Sequence, residues 1–277
     1  MLKYGFGFLL TLQALYTSSQ ELYVFTDPAS NIPAQAGSAK VSGFYINNNH
    51  HYSRPAYRVM PEFMYGLNKK LMIRGAITFA NMHTHNFRYE SLSLGAKYRF
   101  LSNDEVHRHF RMAAFARASV TSAPFEYQET GLMGDKSGVE LGVIATQLLN
   151  KLALSATVSQ VQVIDPSRSH RNVHPPNNYQ AMNYSFSSGY LLFPRVYSNY
   201  NQPNFNLYFE VLAQQALDVN RGYLDLAPAL QVIIASTTKI NLGYRFQVAG
   251  AMDRMTNSMW QLSAERTFYG LRRKSKK

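Results

Sequence analysis

Six of the eight histidines lie in polar stretches that separate the apolar segments of the chain. They are His50, His51, His83, His85, His170 and His174. Met82 and Met133 fall in similar stretches, and imidazole together with thioether sulfur suits copper or another late transition metal. The spacings match no specific metal motif, and a histidine in a polar loop is usually a solvated side chain. Metal capture by these six residues is therefore a secondary hypothesis.

Serine and histidine also raise the question of hydrolysis, because some twelve-stranded membrane barrels are lipid hydrolases. The sequence contains neither a GxSxG nucleophile elbow nor an HExxH pair, and nothing in it brings a serine and a histidine together. The chain has no cysteine, which excludes disulfide bonds and thiolate metal sites. The sequence thus predicts a protein that is not an enzyme and that needs no cofactor.

Charged side chains of both signs recur within otherwise apolar segments. Those predicted to face a common interior are Arg58, Glu62, Arg74, Lys97, Arg99, Arg111, Arg117, Glu140, Glu210, Asp225, Arg245 and Glu265. One interpretation is a network of ion pairs that fills a narrow interior, because a charge in a dry interior must be paired. The other is a water-filled pore whose basic excess attracts anionic solutes. The count of charges alone does not separate the two.

The elements that position these residues follow a period of two. From Leu71 onward, Leu71, Ile73, Ile77 and Phe79 alternate with a second set that contains Arg74 and Thr78. This alternation is typical of a β-strand with one apolar and one polar face. After the first twenty residues, no uncharged apolar run reaches the roughly 18 residues that a membrane helix needs.

About twelve such strands are predicted, near 39–47, 57–67, 71–82, 87–100, 108–120, 138–149, 152–163, 181–193, 205–216, 223–235, 239–250 and 258–269. Most are close to the 9–11 residues of a tilted membrane strand, and short turns alternate with longer polar loops. In hydrocarbon an unpaired strand edge is costly, so the strands should close on themselves. We therefore predict a transmembrane antiparallel up-and-down β-barrel. A soluble β-sandwich or lipocalin-like barrel is the alternative.

The ends of the chain differ from this pattern. Lys3, an apolar run over 4–16 and the small residues at 17–19 predict a cleaved signal peptide over 1–20. A periplasmic N-terminal segment at 21–38, the barrel at 39–269 and a basic tail at 270–277 complete the predicted organisation. The net charge is +12, and five basic residues crowd the last six positions, so the remaining charges indicate no nucleic-acid partner.

Three segments carry a resemblance to a known group. They are the strand–turn–strand unit Pro61–Leu71 and the strands Leu94–Phe100 and Ile240–Phe246, which read LGAKYRF and INLGYRF. In this pattern the chain resembles the uncharacterised and transporter-like outer-membrane β-barrels of Gram-negative bacteria. The resemblance implies an outer-membrane location, contact with lipids and lipopolysaccharide, and insertion by the barrel-assembly machinery.

The function that we predict is passive passage of small solutes through the barrel, and the basic excess of the interior favours anionic ones. A closed barrel with a structural or surface-binding role is the alternative interpretation. A barrel lipid hydrolase is a more distant one.

Overall fold

The computed structural model describes residues 23–271, except 48, 51–52, 107, 125, 165–177 and 195–201. Its strands are β1 Gly37–Ile46, β2 Ala56–Gly66, β3 Leu71–Ala80, β4 Arg88–Glu105, β5 Arg108–Thr121, β6 Gly138–Leu149, β7 Leu152–Val163, β8 Gln180–Phe193, β9 Asn204–Ala216, β10 Gly222–Ile234, β11 Thr238–Gly250 and β12 Ser258–Phe268. Each strand pairs antiparallel with its neighbours in sequence, and β12 pairs with β1. Nothing helical in the described part of the chain has the length and apolarity to cross a membrane. The prediction of a closed twelve-stranded antiparallel barrel is confirmed.

The alternation in β3 shows how the sequence sets the two faces of the wall. The side chains of Ile73 and Ile77 are exposed on the outside, whereas Met72 and Thr78 are buried inside. A slip of one residue in pairing would turn every one of these side chains to the opposite face. The hydrophobic pattern therefore fixes the register, and with it the side chains that reach the lumen.

The outer face of the barrel is a belt of exposed apolar side chains. Large exposed members from different strands include Val41, Phe63, Leu94, Leu141, Phe186, Phe209, Leu230, Leu242 and Leu262. A soluble protein rarely exposes an apolar surface that is this continuous, whereas a membrane barrel presents one to lipid. The belt therefore favours the transmembrane barrel over the soluble alternative.

The connections after β1, β3, β5, β7, β9 and β11 lie at one end of the barrel, which we call the loop end. The connections after the even-numbered strands before β12 lie at the other, the turn end, together with the start of β1 and the end of β12. In outer-membrane barrels short turns face the periplasm and longer loops face outward. By this rule, the turn end faces the periplasm and the loop end faces outward.

β4 is longer than the sequence pattern predicts, because it continues beyond 100 to Glu105. After a register shift between Arg99 and Leu101, the pairing with β5 resumes and runs to Glu105 opposite Arg108. The polar residues 102–105 look like a turn in the sequence, yet their backbone groups still pair with β5. The shift absorbs one extra residue and lets the hairpin extend past the apolar belt.

The N-terminal segment, defined here as residues 23–31, lies inside the barrel. The sequence predicts a periplasmic segment at 21–38, whereas residues 23–31 lie in the lumen. Val24 and Ala29 are almost fully buried among inward-facing side chains of the wall. An eight-stranded barrel is just wide enough for side chains to fill, so a twelve-stranded one has room for additional chain. The predicted signal peptide at 1–20 and most of the basic tail lie outside the described residues.

Leu94 tests the assignment of the outer face. It is 60% exposed and pairs with Gly75 at the middle of β3, which places it near the centre of the belt. Leu94→Arg should lower the free energy of unfolding in lipid by about 2–4 kcal/mol, because a guanidinium near the bilayer midplane is poorly solvated.

The control is Val106→Arg, at an 86% exposed position in the β4–β5 turn. This change should cost about 0–1 kcal/mol, as expected near or beyond the interface. Urea unfolding in lipid vesicles measures both values. Equal costs for the two variants would contradict the outward placement of Leu94.

Candidate functional site: the filled lumen

Glu210 on β9 holds the start of the N-terminal segment. One carboxylate oxygen accepts hydrogen bonds from the backbone N–H groups of Val24 and Phe25, both at 2.9 Å. The other accepts from the hydroxyl of Thr26 at 2.7 Å and from Ser187 at 3.1 Å. Glu210 is fully buried, so these donors replace the water that a carboxylate would otherwise bind.

Asp27 enters the lumen beside two arginines. Its carboxylate pairs with Arg74 on β3 and lies 3.8 Å from the guanidinium of Arg117 on β5. Each arginine has a second partner on the wall: Glu62 at 3.2 Å from Arg74, and Glu140 at 3.4 Å from Arg117. The carboxylate of the segment therefore completes a group of charges that is otherwise built by the barrel.

The end of the N-terminal segment is held through its backbone. The ammonium of Lys97 donates to the carbonyls of Pro28 and Ser30, both at 2.7 Å. The N–H of Ala29 donates to the hydroxyl of Thr146 at 2.9 Å. The wall thus binds this segment much as it would bind a peptide, through donors for its carbonyls and acceptors for its N–H groups.

A small apolar cluster adds to these polar contacts. Tyr23 meets Tyr208 edge to face, with ring centroids 5.8 Å apart. Both tyrosines pack with Val24, Leu148 and neighbouring alanines of the wall. Burial of such side chains contributes roughly 25 cal/mol per Å² of apolar surface. The cluster therefore fixes the beginning of the segment against the turn end of the wall.

A second chain segment enters the lumen from the loop end. This inner loop, residues 122–137 between β5 and β6, is held by Gln214, whose amide accepts from Thr130 N–H at 2.8 Å and donates to its carbonyl at 2.9 Å. Asp135 pairs with Arg58. Beside it, Gly134 has a φ of +124°, and a Cβ there would lie 2.8 Å from a methyl carbon of Thr78. Glycine lets the loop approach the wall closely at this position.

Arg254, in the β11–β12 connection, fastens the inner loop to the wall. Its guanidinium donates to both carboxylate oxygens of Asp225 at 2.8 Å and to both of Glu129 at 3.1 Å. It also lies over the ring of Tyr223, 3.7 Å from the centroid. Arg245 on β11 reaches the same two carboxylates, at 2.5 Å from Asp225 and 3.4 Å from Glu129. Two arginines and two carboxylates therefore form one closed network at the loop end.

A cavity of about 270 Å³ lies in the lumen beside both inserted segments. The N-terminal segment contributes Phe25, Thr26 and Asp27 to its lining, and the inner loop contributes Glu129 and Asp135 among others. The remaining lining comes from inward side chains of the wall, both charged and apolar. Its volume is slightly below the usual range for ligand pockets, which indicates space for a small solute.

The pKa values of the inserted carboxyl groups are lowered despite their burial. Burial opposes the ionisation of Asp27, but Arg74, Lys97 and Arg117 outweigh it and hold its pKa far below the ordinary value. Burial likewise opposes ionisation of Glu129, and Arg254 and Arg245 lower its pKa in spite of this. Both segments therefore enter the lumen as anions at neutral pH.

The twelve charges predicted to line the lumen all lie on inward faces, but most contact a partner instead of an open pore. Arg58, Glu62, Arg74, Lys97, Arg117, Glu140, Glu210, Asp225 and Arg245 make the contacts described above. Glu265 pairs with Lys239 at 3.1 Å. Two lie at the turn end: Arg111 pairs with Asp104 at 2.8 Å, and Arg99 donates to the carbonyl of Lys69 in the β2–β3 turn.

The histidines are not brought together in the described part of the chain. His50 and His85 are exposed, whereas His83 is buried and lies 3.1 Å from Glu90. His51, His170 and His174 lie outside the described residues. Within the described ranges, no three His, Cys, Asp or Glu side chains are placed to hold a metal ion.

Sequence reasoning missed the residues that fill the lumen: Asp27, Glu129, Asp135, Gln214 and Arg254. All except Gln214 lie outside the strands, so the period of two does not reveal them. Gln214 lies on β9, where the alternation indicates the face of its side chain but not its contact with Thr130. The sequence around Asp27 contains a proline, small residues and an asparagine, and such composition is typical of any surface connection.

Arg254→Gln should lower the free energy of unfolding by about 3–5 kcal/mol, because it leaves the buried carboxylates of Asp225 and Glu129 with less compensation. Urea unfolding in lipid or detergent measures the effect. Arg221→Gln, at an exposed position in the β9–β10 connection, is the matched control and should be close to neutral. A loss below about 1 kcal/mol for Arg254→Gln would show that the network does not hold the inner loop.

No family model matches the chain, and no curated protein matches it. Solved structures do resemble it. The COG4313 outer membrane channel from Pseudomonas putida F1 aligns with a TM-score of 0.61 at 12% identity, over 88% of this chain and 100% of that one. The KdgM porin aligns with a TM-score of 0.53 at 5% identity, over 83% and 99%. The β domain of the Bordetella autotransporter BrkA aligns with a TM-score of 0.52 at 9% identity, over 84% and 100%. At these identities, the likeness shows a shared fold: the closed barrel of outer-membrane proteins.

Proposed function

We propose that this protein is an outer-membrane channel for the passive passage of small solutes, closed in this structure by the N-terminal segment and the inner loop. The proposal rests on the kind of contact that holds the two segments in the lumen. Neither segment is a strand of the wall, and ion pairs and hydrogen bonds hold both of them at several points beside a few apolar contacts. When such a segment leaves, the surface that it uncovers is charged and polar, and water can solvate it.

The wall itself supports this proposal. Its inward face carries charges at several depths, from Arg111 near the turn end to Asp225 near the loop end. A barrel with only a structural role has no need for ionised side chains along its axis, since apolar residues of similar volume often give equal or greater stability. Two of the similar structures are named as a channel and a porin, which agrees with the proposed passage of solutes.

A closed scaffold remains the second candidate, and one observation favours it. The basic residues that were predicted to form a positive pore are largely neutralised by carboxylates in the conformation described here. In that alternative the ion pairs are permanent and the two inserted segments never leave. The two functions differ in one measurable property, which is conductance.

Replacing Val24–Asp27 with Gly-Ser-Gly-Ser should convert silent insertions in a planar bilayer into discrete conductance steps. The exchange removes the Thr26 hydroxyl that donates to Glu210, the Asp27 carboxylate and part of the apolar cluster, while keeping the length of the chain. The unaltered protein should show such conductance steps only rarely.

The control is a Ser-Gly-Ser exchange at Val219–Arg221, in the β9–β10 connection, which spares the hydrogen bonds that Asp218 accepts from Tyr179 and Gln180. This variant should behave like the unaltered protein. Heat-resistant migration in gels checks that each variant is folded. A folded protein that combines the Val24–Asp27 exchange with Arg254→Gln, and so loosens both segments, yet shows no conductance would reject the channel and leave the scaffold.

The ion pairs of Asp27 and Glu129 should keep their full strength between pH 8 and pH 5, so these two carboxyls should give the conductance no pH dependence in that range. The carboxyls of Asp27 and Glu129 have lowered pKa values when docked. Their contribution to docking is therefore complete above the pKa of a free carboxyl, about 3.9–4.3, and is lost progressively below it. Single-channel recordings at stepped pH should show more frequent opening only below about pH 4. Opening that increases between pH 8 and pH 6 would show that other groups control the closure.

A further inference from the structure

The charges around Asp27 do not balance without it. In this part of the wall, Arg74, Arg117 and Lys40 are cationic, whereas Glu62 and Glu140 are the carboxylates that pair with the two arginines. Lys40 lines the cavity and makes no ion pair with any residue that the structure describes. Together with Lys97, four cations of the wall act on Asp27. The carboxylates of the wall beside them are Glu62, Glu140 and, opposite Lys40 on β12, Glu265, so Asp27 supplies the fourth negative charge.

Lys40 belongs to the surroundings of Asp27. Its positive charge is among those that lower the pKa of the Asp27 carboxyl, together with the charges of Arg74 and Arg117. On the same face of β1, the hydroxyl of Ser42 is buried and has no hydrogen-bond partner, and Ser42 also lines the cavity. The wall thus offers more capacity for an anion than Asp27 uses.

The cavity gives an anion access to these groups. Asp27, Lys40, Ser42, Arg74 and Arg117 all contribute to its lining. A solute in the cavity would therefore meet the ammonium of Lys40, the free hydroxyl of Ser42 and the two guanidiniums that hold Asp27. A carboxylate is the group that this arrangement already accommodates.

We propose that the Asp27 carboxylate occupies the site at which the carboxylate of a small solute binds, and that such a solute competes with Asp27 for Arg74, Arg117 and Lys40. The inference rests on the proposed channel and names the class of its solute as small carboxylates. A solute that binds only when Asp27 has left shifts the equilibrium towards the undocked segment. Solute binding and release of the N-terminal segment are thereby coupled, and the coupling acts equally in both directions.

The tether sets the concentration that a competing solute needs. A segment joined to its site by a short linker acts at an effective concentration in the millimolar range. A free carboxylate must reach a similar concentration to displace it. Succinate at a concentration on the order of 10 mM is therefore a suitable probe. Succinamide, which is uncharged and has nearly the same shape, is its matched control.

Release of the segment can be followed with a single thiol, because the chain contains no cysteine. Val24→Cys places a small apolar thiol in the N-terminal segment at a position that is 2% exposed. In the docked state the barrel wall shields this position from a maleimide coupled to polyethylene glycol. The labelling rate of the full chain in detergent then reports the undocked fraction.

Succinate should raise the labelling rate of the Val24→Cys protein by at least about fivefold, the lower end of usual coupling between two sites. Succinamide, and chloride at the same ionic strength, should not. Lys40→Gln should weaken the response to succinate several-fold and leave folding intact, since the carboxylates opposite Lys40 keep other partners: Glu62 pairs with Arg74, and Glu265 with Lys239. Arg221→Gln, at the exposed position used above, should respond like the parent.

Equal responses to succinate and succinamide would overturn the proposal, and so would an unchanged succinate response in the Lys40→Gln variant. The conductance experiment on the Val24–Asp27 exchange is independent of this outcome. Conductance steps without release by succinate would leave the channel and reject the carboxylate site. Release by succinate without conductance steps, even when Arg254→Gln is added to the exchange, would leave a binding site and reject the channel.

Discussion

Compensation of ionised side chains inside the barrel is the constraint on which the interior depends. A charge moved from water into a membrane-spanning wall loses several kcal/mol of hydration unless a partner or water replaces it. This chain meets that requirement with groups from outside the wall as well as from within it. Asp27 faces Arg74 and Arg117, and Glu129 and Asp225 share Arg245 and Arg254. The inserted segments and the wall are consequently parts of one electrostatic arrangement.

This shared arrangement explains why the segments dock where they do. Glu210 and Lys97 on the wall present an acceptor and a donor to the two kinds of backbone group that the N-terminal segment carries. Gln214 does the same for Thr130 of the inner loop. A chain segment in a lumen has no secondary structure to satisfy its backbone, so the wall must supply the partners. The positions of these polar residues on the wall therefore set the path of each segment.

The fold could be predicted from the sequence because the signal is local and repeated. The alternation of Leu71 to Phe79 recurs along the chain, and closure then follows from the cost of free strand edges in lipid. The contents of the lumen could not be predicted in the same way. Asp27 and Arg254 lie in irregular segments, and their partners lie on strands far away in the sequence. No periodic pattern connects such residues, since their contacts exist only after the barrel has closed.

β4 shows the same limit on a smaller scale. Ser102 to Glu105 have the composition of a turn, and only their pairing with β5 makes them a strand. The side chains that point into the barrel could be predicted, because residues two positions apart in a strand point to the same face. Whether that side chain meets water or a carboxylate from another segment depends on long-range docking. The distinction between a pore and a filled barrel was therefore undecidable from the alternation.

The chemistry of the filling bears on whether it can leave. An apolar plug would expose hydrophobic surface to water when released, at roughly 25 cal/mol for each Å² uncovered. An ionic plug loses its pairs but regains hydration of every group involved, and these two contributions largely cancel. The free-energy difference between docked and undocked states of a mainly ionic segment can therefore be small. Tyr23 and Val24, in the apolar cluster, then bias the equilibrium towards docking, while the ion pairs determine which solute charges can compete.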